Sequence, residues 1–207
     1  MKKQLWLVFI CLSAVCLLSS TPWAGTYRSD LGYSLEVPEG WTLLNKDSVR
    51  DKPEMIDAAA SAAREQQDFQ DIPMSVLSRV KELAAGGQIE YFRSPEPRFT
   101  ISVYRERATV PQRGFDQKEA CSKLSAELSE QNARDMKVYD CEGAVLDGHP
   151  GLRVEVDDYW KDRKFLQYTV RVNDDAVLIF TANSREKNFE EMKQEFERIM
   201  ETLKIEG

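Results

Sequence analysis

The chain has 207 residues, of which 28 are basic and 35 acidic, so its formal net charge is −7 at pH 7. An acidic chain offers no counterion release to nucleic acid and no attraction to an anionic membrane surface, so the composition argues against both as partners. The length suits one domain of ordinary size after removal of a leader.

The first 24 residues have the layout of a secretory signal peptide. Two lysines precede an apolar run over residues 5–18, and the stretch Ser-Ser-Thr-Pro-Trp-Ala follows as far as Ala24. The run is too short to favour a permanent membrane span, and no later stretch reaches the needed length. We expect residues 1–24 to be removed and the mature protein to be periplasmic or secreted. Cleavage after Ser20, an uncleaved anchor and a lipoprotein signal are the alternatives.

The first half of the mature chain is predicted to contain a strand hairpin, a helical hairpin and two more strands. Residues 26–37 alternate around an Asp-Leu-Gly turn. Residues 51–87 carry apolar residues at helical spacing and end in a Gly-Gly pair, which predicts two helices with Asp51 as the first N-cap. We interpret this hairpin as a cover for one sheet face, with a partner-binding arm as the alternative. Strands are predicted at 88–93 and 98–108.

The next segment is predicted to form a helix and a strand that one disulfide bond connects. A capping box starts the helix at Asp116, and the helical spacing fades near Asp135. A strand is predicted at 138–146. Cys121 and Cys141 are the cysteines outside the signal peptide, and an even pair in an oxidising compartment favours a disulfide. Its loop of about 20 residues makes it worth on the order of 3 kcal/mol. Two separate buried thiols are the alternative.

The last third reads as a strand meander closed by an amphipathic helix. A turn is predicted at 147–151, and residues 152–157 then alternate apolar with charged side chains, which indicates a half-buried strand with its charged face outside. Residues 164–172 alternate again. A strand is predicted at 176–182, and its apolar run at 177–180 without a polar break is typical of a strand buried on both faces. After Ser184 the spacing changes to three and four. The inward side of this helix is predicted to carry Phe189, Met192, Phe196, Ile199, Met200 and Leu203.

No familiar catalytic constellation occurs in the sequence. His149 is the only histidine and lies in a Gly-His-Pro-Gly stretch, which favours a turn residue over a catalytic base. Neither a Gly-x-Ser-x-Gly elbow nor a phosphate-binding glycine loop is present. The Asp-Asp pairs at 157–158 and 174–175 are interpreted as turn chemistry, with calcium ligation as the alternative. We therefore expect no metal, no cofactor and no enzymatic activity.

Aromatic side chains offer a second route to function. The candidates for a binding surface are Tyr104, Tyr159, Trp160 and Tyr168, together with His149. Edge and core packing is the alternative interpretation, because tyrosine and tryptophan are common at strand positions for that reason alone.

Three stretches resemble the PsbP-like superfamily, which includes PsbP, Mog and DcrB-type exported bacterial proteins. They are residues 32–41 (Gly-Tyr-Ser-Leu-Glu-Val-Pro-Glu-Gly-Trp), 99–104 and 151–205. The resemblance implies an α+β fold, an α/β/α sandwich around a central antiparallel sheet, and action by binding rather than catalysis. No catalytic residue is carried over. We expect residues 25–207 to form one such domain, with the helical hairpin as an insertion.

These observations together predict an exported, non-enzymatic binding or assembly-accessory protein of the bacterial cell envelope, with another envelope protein as its partner. The alternative is a small-ligand-binding protein or a hydrolase that uses carboxylates assembled in space. A closed pocket with convergent carboxylates would favour the alternative.

Overall fold

A computed structural model of the chain describes residues 23–51, 74–95, 99–107, 117–132, 135–157 and 162–206. The strands in these ranges are β1 (Trp23–Ser29), β2 (Tyr33–Pro38), β3 (Thr42–Leu44), β4 (Ile89–Arg93), β5 (Phe99–Glu106), β6 (Val138–Leu146), β7 (His149–Asp157), β8 (Arg163–Arg171), β9 (Val177–Arg185) and β10 (Lys204–Ile205). The helices are α1 (Lys46–Asp51), α2 (Met74–Ala85), α3 (Gln117–Asn132) and α4 (Phe189–Glu201), and a 3₁₀ turn at Glu186–Asn188 precedes α4. No helix in these ranges is both long and apolar enough to cross a lipid bilayer.

The main sheet has seven strands in the order β3-β4-β5-β9-β8-β7-β6, and each pair of adjacent strands is antiparallel. The central strand β9 pairs with β5 on one side and β8 on the other. Its first four residues, Val177 to Phe180, are all buried, as the unbroken apolar run predicts. The first half of β9 is therefore buried on both faces of the sheet.

Helix α4 lies on one of these faces. All six residues of its predicted apolar stripe are buried, and they share one core cluster with β5, β8 and β9. Burial of each such side chain contributes roughly 1.5–3 kcal/mol, so this stripe is a main source of stability. The prediction that the C-terminal helix buries its apolar stripe against the sheet is confirmed.

Helix α3 covers the opposite face. Leu124 and Leu128 pack against a second cluster that contains Val154 and Val156 of β7. Arg153 directly precedes Val154 and reaches α4, and successive side chains of a strand point to opposite faces. The fold is thus α+β, with helices on both sides of a central antiparallel sheet, as the resemblance implied.

A second, three-stranded sheet has the order β1-β2-β10. The β1–β2 hairpin turns at Gly32, whose φ of 91° favours glycine, and Glu206 donates a 2.9 Å backbone hydrogen bond to the Gly32 carbonyl. Tyr33 and Leu35 of β2 are buried in the same core as α4. The N-terminal hairpin and the C-terminus therefore complete one side of the sandwich together.

Strand β7 departs from the sequence prediction. Its charged side was expected to face solvent, but Arg153 is only 6 % exposed and Glu155 is also buried. Helix α4 lies over this side and supplies Glu197 and Lys193 as ionic partners. The expectation of an exposed charged face is wrong because the partners of these charges lie about 40 residues further along the chain.

Two local predictions are also corrected. Asp51 was expected to cap a helix that follows it, but it is the last residue of α1. The predicted turn at 147–151 is shorter than expected, because β7 already begins at His149. Asp147 and Gly148 both have positive φ, as a tight two-residue hairpin turn requires.

The helical hairpin predicted at 51–87 is described only in its second arm, α2. This helix ends as its Gly-Gly pair predicts, since Gly87 has a φ of 68° and Gln88 donates a 2.9 Å hydrogen bond to the Leu83 carbonyl. The first arm lies outside the described residues, as do residues 1–22 of the predicted signal peptide; its last two residues, 23 and 24, are the first of β1. The boundaries of the single domain therefore stay a prediction.

The predicted disulfide falls between α3 and β6. Cys141 is buried in the cluster beneath α3. Cys121 lies in the first turns of α3, but its side chain is not among those described. The pairing of the two cysteines stays a prediction.

Candidate functional site

Of the aromatic residues proposed as a binding surface, the two that the structure describes, Tyr104 and Tyr168, do not come together. Tyr104 of β5 packs beside Ile179 on the face opposite α4. Tyr168 of β8 is 7 % exposed and meets Phe196 of α4 edge to face. Tyr168 therefore belongs to the core, and the sheet separates it from Tyr104. The other two aromatic candidates, at positions 159 and 160, lie outside the described residues.

His149 is the first residue of β7 and is half-buried. Its Nδ1 atom lies 3.0 Å from the Arg171 carbonyl oxygen, so this nitrogen donates the hydrogen bond. The contact fixes the start of β7 to the end of β8. This agrees with the interpretation of His149 as a structural turn residue.

Tyr104 does line a cleft, which has a volume of about 800 Å³. Four chain connections meet there: the β1–β2 turn, the junction between α2 and β4, the end of β5, and the loop between β8 and β9. These connections line it with Leu31, Leu83, Gly87, Gln88, Ile89, Tyr104, Arg105, Glu106, Arg107, Asn173, Asp175 and Ala176. Loops held by a rigid sheet are a common place for binding residues.

The cleft has an apolar floor and a charged rim. Tyr104 forms the floor together with the apolar lining residues Leu31, Leu83, Ile89 and Ala176. Val177 and Ile179 of β9 support Tyr104 by packing against it. Burial, and then the neighbouring Glu106 carboxylate, raise the pKa of Tyr104, so its hydroxyl stays protonated at neutral pH. Arginine and carboxylate side chains alternate around the rim. Such a lining suits a polypeptide segment with both apolar and charged side chains.

Behind one wall of the cleft lies a buried polar group, the Glu90 cluster (Glu90, Tyr27, Ser29 and Tyr33). Glu90 of β4 is 5 % exposed. Tyr27 and Ser29 each donate a 2.8 Å hydrogen bond to Glu90 Oε1, and Tyr33 donates a short one to Oε2. The three donors belong to the β1–β2 hairpin, so this cluster fastens the small sheet to the main one.

The Glu90 cluster also reaches the rim of the cleft. The Ser29 hydroxyl that donates to Glu90 accepts a 2.9 Å hydrogen bond from the Leu31 backbone nitrogen. Both Glu90 oxygens are thus occupied by fixed donors. This carboxylate is arranged to position the hairpin turn rather than to accept a proton from a substrate.

A second buried charge, the Arg153 cluster (Arg153, Asp140, Glu142 and Glu197), lies under α4 near the far edge of the sheet. The Arg153 guanidinium is 2.8 Å from Glu197, 2.5 Å from Asp140 and 3.5 Å from Glu142. Burial acts to lower the pKa of Arg153, but its hydrogen bond to Glu197 and its other partners outweigh burial and raise it. The Arg153 cluster therefore joins α4 to β6 and β7.

No group of three or more His, Cys, Asp or Glu side chains that could hold a metal ion occurs among the described residues. The Asp174–Asp175 pair lies in the loop between β8 and β9, where Arg171 pairs with Asp174 and Asp175 lines the cleft.

Comparison with known proteins identifies the fold. No family model matches the chain, and no curated protein matches it by sequence. Among solved structures, the chain is similar to the cyanobacterial PsbP (CyanoP) of Synechocystis sp. PCC 6803, with a TM-score of 0.53 and 14% identity over 91% of this chain and 98% of that one. It is also similar to LpqN, involved in cell envelope biogenesis of Mycobacterium tuberculosis, with a TM-score of 0.50 and 17% identity over 88% and 90% of the two chains. The fold is PsbP-like.

The sequence did not identify the two buried clusters. Arg153 lies on the charged side of an alternating strand, and Glu90 shares the buried side of β4 with Phe92. The one available signal was the excess of hydroxyl residues at 26–34, where Thr, Ser and Tyr recur in a predicted hairpin. This excess of hydroxyl residues indicates a buried acceptor only once β4 is known to pack against the hairpin.

Proposed function

We propose that this protein is an exported binding or assembly-accessory protein of the bacterial cell envelope, and that it binds a polypeptide partner through the cleft beside Tyr104. The observation that carries the proposal is the cleft itself, which lies where four connections meet and combines an apolar floor with a charged rim. The Glu90 cluster supports it by fixing the hairpin turn that borders the cleft.

Two further points agree with this function. The N-terminal residues have the layout of a signal peptide, which places the mature chain in the periplasm or outside the cell. The structurally similar LpqN is described as involved in cell envelope biogenesis. We extend this envelope role to the present chain by analogy of fold.

Export and the disulfide are tested by the intact mass of the protein recovered from a periplasmic extract. We expect a chain that begins near residue 25 and in which Cys121 and Cys141 are alkylated only after reduction. A chain that retains Met1, or thiols that alkylate without reductant, would contradict export or the disulfide respectively.

Binding through the cleft is tested by photo-crosslinking in living cells. A benzophenone amino acid replaces Gln88, an exposed residue on the cleft, in the full-length protein. We expect one adduct of discrete mass, and we expect Tyr104→Ala to abolish it because the floor of the cleft is lost. The matched control carries the same amino acid at Glu130, an exposed position on α3. Equal adducts at both positions would show that the cleft is not the binding site.

The alternative, a hydrolase or small-ligand-binding protein, depends on the carboxylates at the cleft. Glu106 and Asp175 both line it. If the purified protein turns over an ester, amide or glycoside substrate and Glu106→Gln or Asp175→Asn stops the reaction, the proposal of a non-enzymatic role is wrong.

A further inference from the structure

Strand β6 forms one end of the seven-stranded sheet, and no strand in the described ranges pairs with its outer side. Two large apolar side chains among the described residues are exposed, Tyr139 at 40 % and Val145 at 66 %, and both lie on this strand. A long edge strand with exposed apolar side chains is a template for another strand. Exposed apolar residues that are scattered singly over a surface are ordinary, but these two residues lie on the same edge strand.

The half of β6 from Glu142 to Leu146 is the part open to pairing, because the Cys141 backbone nitrogen already donates a 2.9 Å hydrogen bond to the Asp140 carboxylate. The irregularity that interrupts the register with β7 lies earlier, between Val138 and Asp140, and beyond it the pairing is regular. Near the middle of this half, a Cβ atom added to Gly143 would meet nothing within 4 Å. The face of the sheet at Gly143 therefore has room for a side chain of an added strand.

The two exposed apolar residues differ in availability. Lys137 and Lys164 lie 4.3 and 4.1 Å from the centre of the Tyr139 ring, so cations already cover this aromatic. Val145 has no such cover. It is the apolar contact that an added strand would use.

Room for side chains exists on the α3 side of the edge. A shallow cleft of about 570 Å³ lies there, and all of its lining comes from α3 or from the chain entering β6. Small side chains bound it on the helix, and Asp135 and Val138 bound it on the strand side. An added strand would meet no bulky neighbour at this point.

The charge on the other side of the edge indicates the chemistry of the occupant. Asp140, Glu142 and Glu197 surround the single guanidinium of Arg153, so the group carries about two uncompensated negative charges. All three carboxylates are at least one-third exposed and can contact a partner. Asp135 adds an exposed carboxylate on the α3 side. The edge therefore favours a basic segment.

A second copy of this chain fits the edge poorly. Antiparallel pairing of β6 with itself around Gly143 would place the acidic side chains of both copies, Asp140 and Glu142, along one narrow ridge. Like charges across neighbouring strands are destabilising. The chain as a whole is also acidic, which adds repulsion between copies.

We infer that the outer edge of β6 binds an extended segment of a partner protein as an added strand, and that this segment alternates basic with apolar residues. Backbone hydrogen bonds to residues 142–146 supply the pairing, Val145 contacts an apolar side chain, and Glu142 with Asp140 contacts a basic one. This surface is separate from the cleft beside Tyr104, so the inference does not depend on the proposed function.

The probe is a nine-residue peptide of alternating lysine and valine with blocked ends and a fluorescent label. Its binding to the mature protein is measured by fluorescence anisotropy at low salt, and its site by amide chemical-shift changes. We expect shift changes centred on residues 142–146 of β6. Val145→Lys and Glu142→Lys should each weaken binding by about tenfold, since each removes a favourable contact and adds a like charge.

Three controls separate strand addition from general attraction. Glu130→Lys makes the same charge change as Glu142→Lys on the exposed surface of α3, and it should leave affinity nearly unchanged. Val145→Thr keeps a β-branched residue and should bind nearly as well as the natural chain. A lysine-valine peptide with an N-methyl group on every residue keeps its charge but has no backbone N–H to donate from either edge, so it should not bind.

Several results would overturn the inference. Equal binding of the N-methylated peptide would show charge attraction without strand pairing. Shift changes at the Tyr104 cleft, or the absence of any binding, would place no ligand at this edge. A dimer in sedimentation experiments that Val145→Lys dissociates would make a second copy the occupant. Thermal melts of each variant identify any loss of folding.

Discussion

The two buried charges of this protein are stabilised in opposite ways. Glu90 is surrounded by neutral hydroxyl groups that all belong to the β1–β2 hairpin. Arg153 is surrounded by carboxylates that come from β6 and α4 and that remain partly exposed to water. Loss of the Glu90 charge therefore has a different consequence from loss of the Arg153 charge. The hydroxyls around Glu90 would stay buried without an acceptor, whereas the carboxylates around Arg153 can regain water.

The two clusters also have different structural roles in the fold. The Glu90 cluster joins one sheet to another and borders the cleft, so its geometry must be fixed. The Arg153 cluster joins a helix to an edge strand and leaves negative charge at the surface. Rigid neutral donors suit the first task, and ionic groups in contact with solvent suit the second.

The largest expected effect is that of Glu90→Ala. This change removes the acceptor of three hydrogen bonds, one of them from the fully buried Tyr33. We expect the free energy of unfolding to fall by about 4 kcal/mol, measured by urea denaturation. Glu90→Gln keeps an oxygen acceptor and should lose about half as much. A loss below about 1 kcal/mol in Glu90→Ala would show that the cluster does not secure the hairpin.

Arg153→Met should have the next largest effect. Methionine keeps the buried apolar stem but leaves Glu197, Asp140 and Glu142 without their shared cation. We expect a loss of about 2–3 kcal/mol, at the lower end for a broken buried pair because the partners are partly exposed. Arg198→Met, on the exposed pair with Glu195, is the control and should cost less than about 1 kcal/mol. Equal losses in both variants would contradict the contrast between the two clusters.

The third effect is a loss of stability at high pH that depends on the tyrosines of the Glu90 cluster. Burial and the Glu90 carboxylate raise the pKa of Tyr33, and burial is also the main cause of the raised pKa of Tyr27. An unfolded tyrosine titrates near pH 10, so above about pH 10 the unfolded chain releases protons that the folded chain retains. This contribution to stability is complete below pH 10 and declines as the pH rises.

Urea denaturation at about pH 8.5 and about pH 11 measures this decline. Tyr33→Phe removes one titrating group, so its stability should fall less steeply than that of the natural chain over the same interval. Lysines titrate in this range in both proteins, and the comparison cancels their contribution. Parallel declines would show that Tyr33 is not held protonated by the fold.

The smallest effect concerns Asp147 in the β6–β7 turn, outside both clusters. Lys204 and the Ile205 backbone nitrogen donate hydrogen bonds to its carboxylate and lower its pKa. Asp147→Asn keeps a residue that tolerates the positive φ but removes the charge. We expect a small decrease in melting temperature at pH 6. The difference should shrink towards pH 3, because a lowered pKa stabilises only above the unfolded value, near 3.9, and is lost on acidification.

The sequence predicted the elements whose apolar pattern is local. The alternation at 164–172, the unbroken run at 177–180 and the stripe of α4 are each complete within fewer than twenty residues. Each therefore specifies both the element and its buried face. The Gly-Gly end of α2 was predicted for the same reason, since a helix C-cap depends on adjacent residues.

Only the tertiary structure decided which charges are buried and where the connections meet. Arg153 lies 44 residues from Glu197, and Ser29 lies 61 residues from Glu90. An alternating strand reports that one face is apolar, but it cannot report that a helix or a second sheet will cover the polar face and supply partners. The cleft beside Tyr104 likewise depends on four connections that are distant in sequence. Local periodicity sets the elements, and long-range complementarity of charge and hydrogen bonding sets the site.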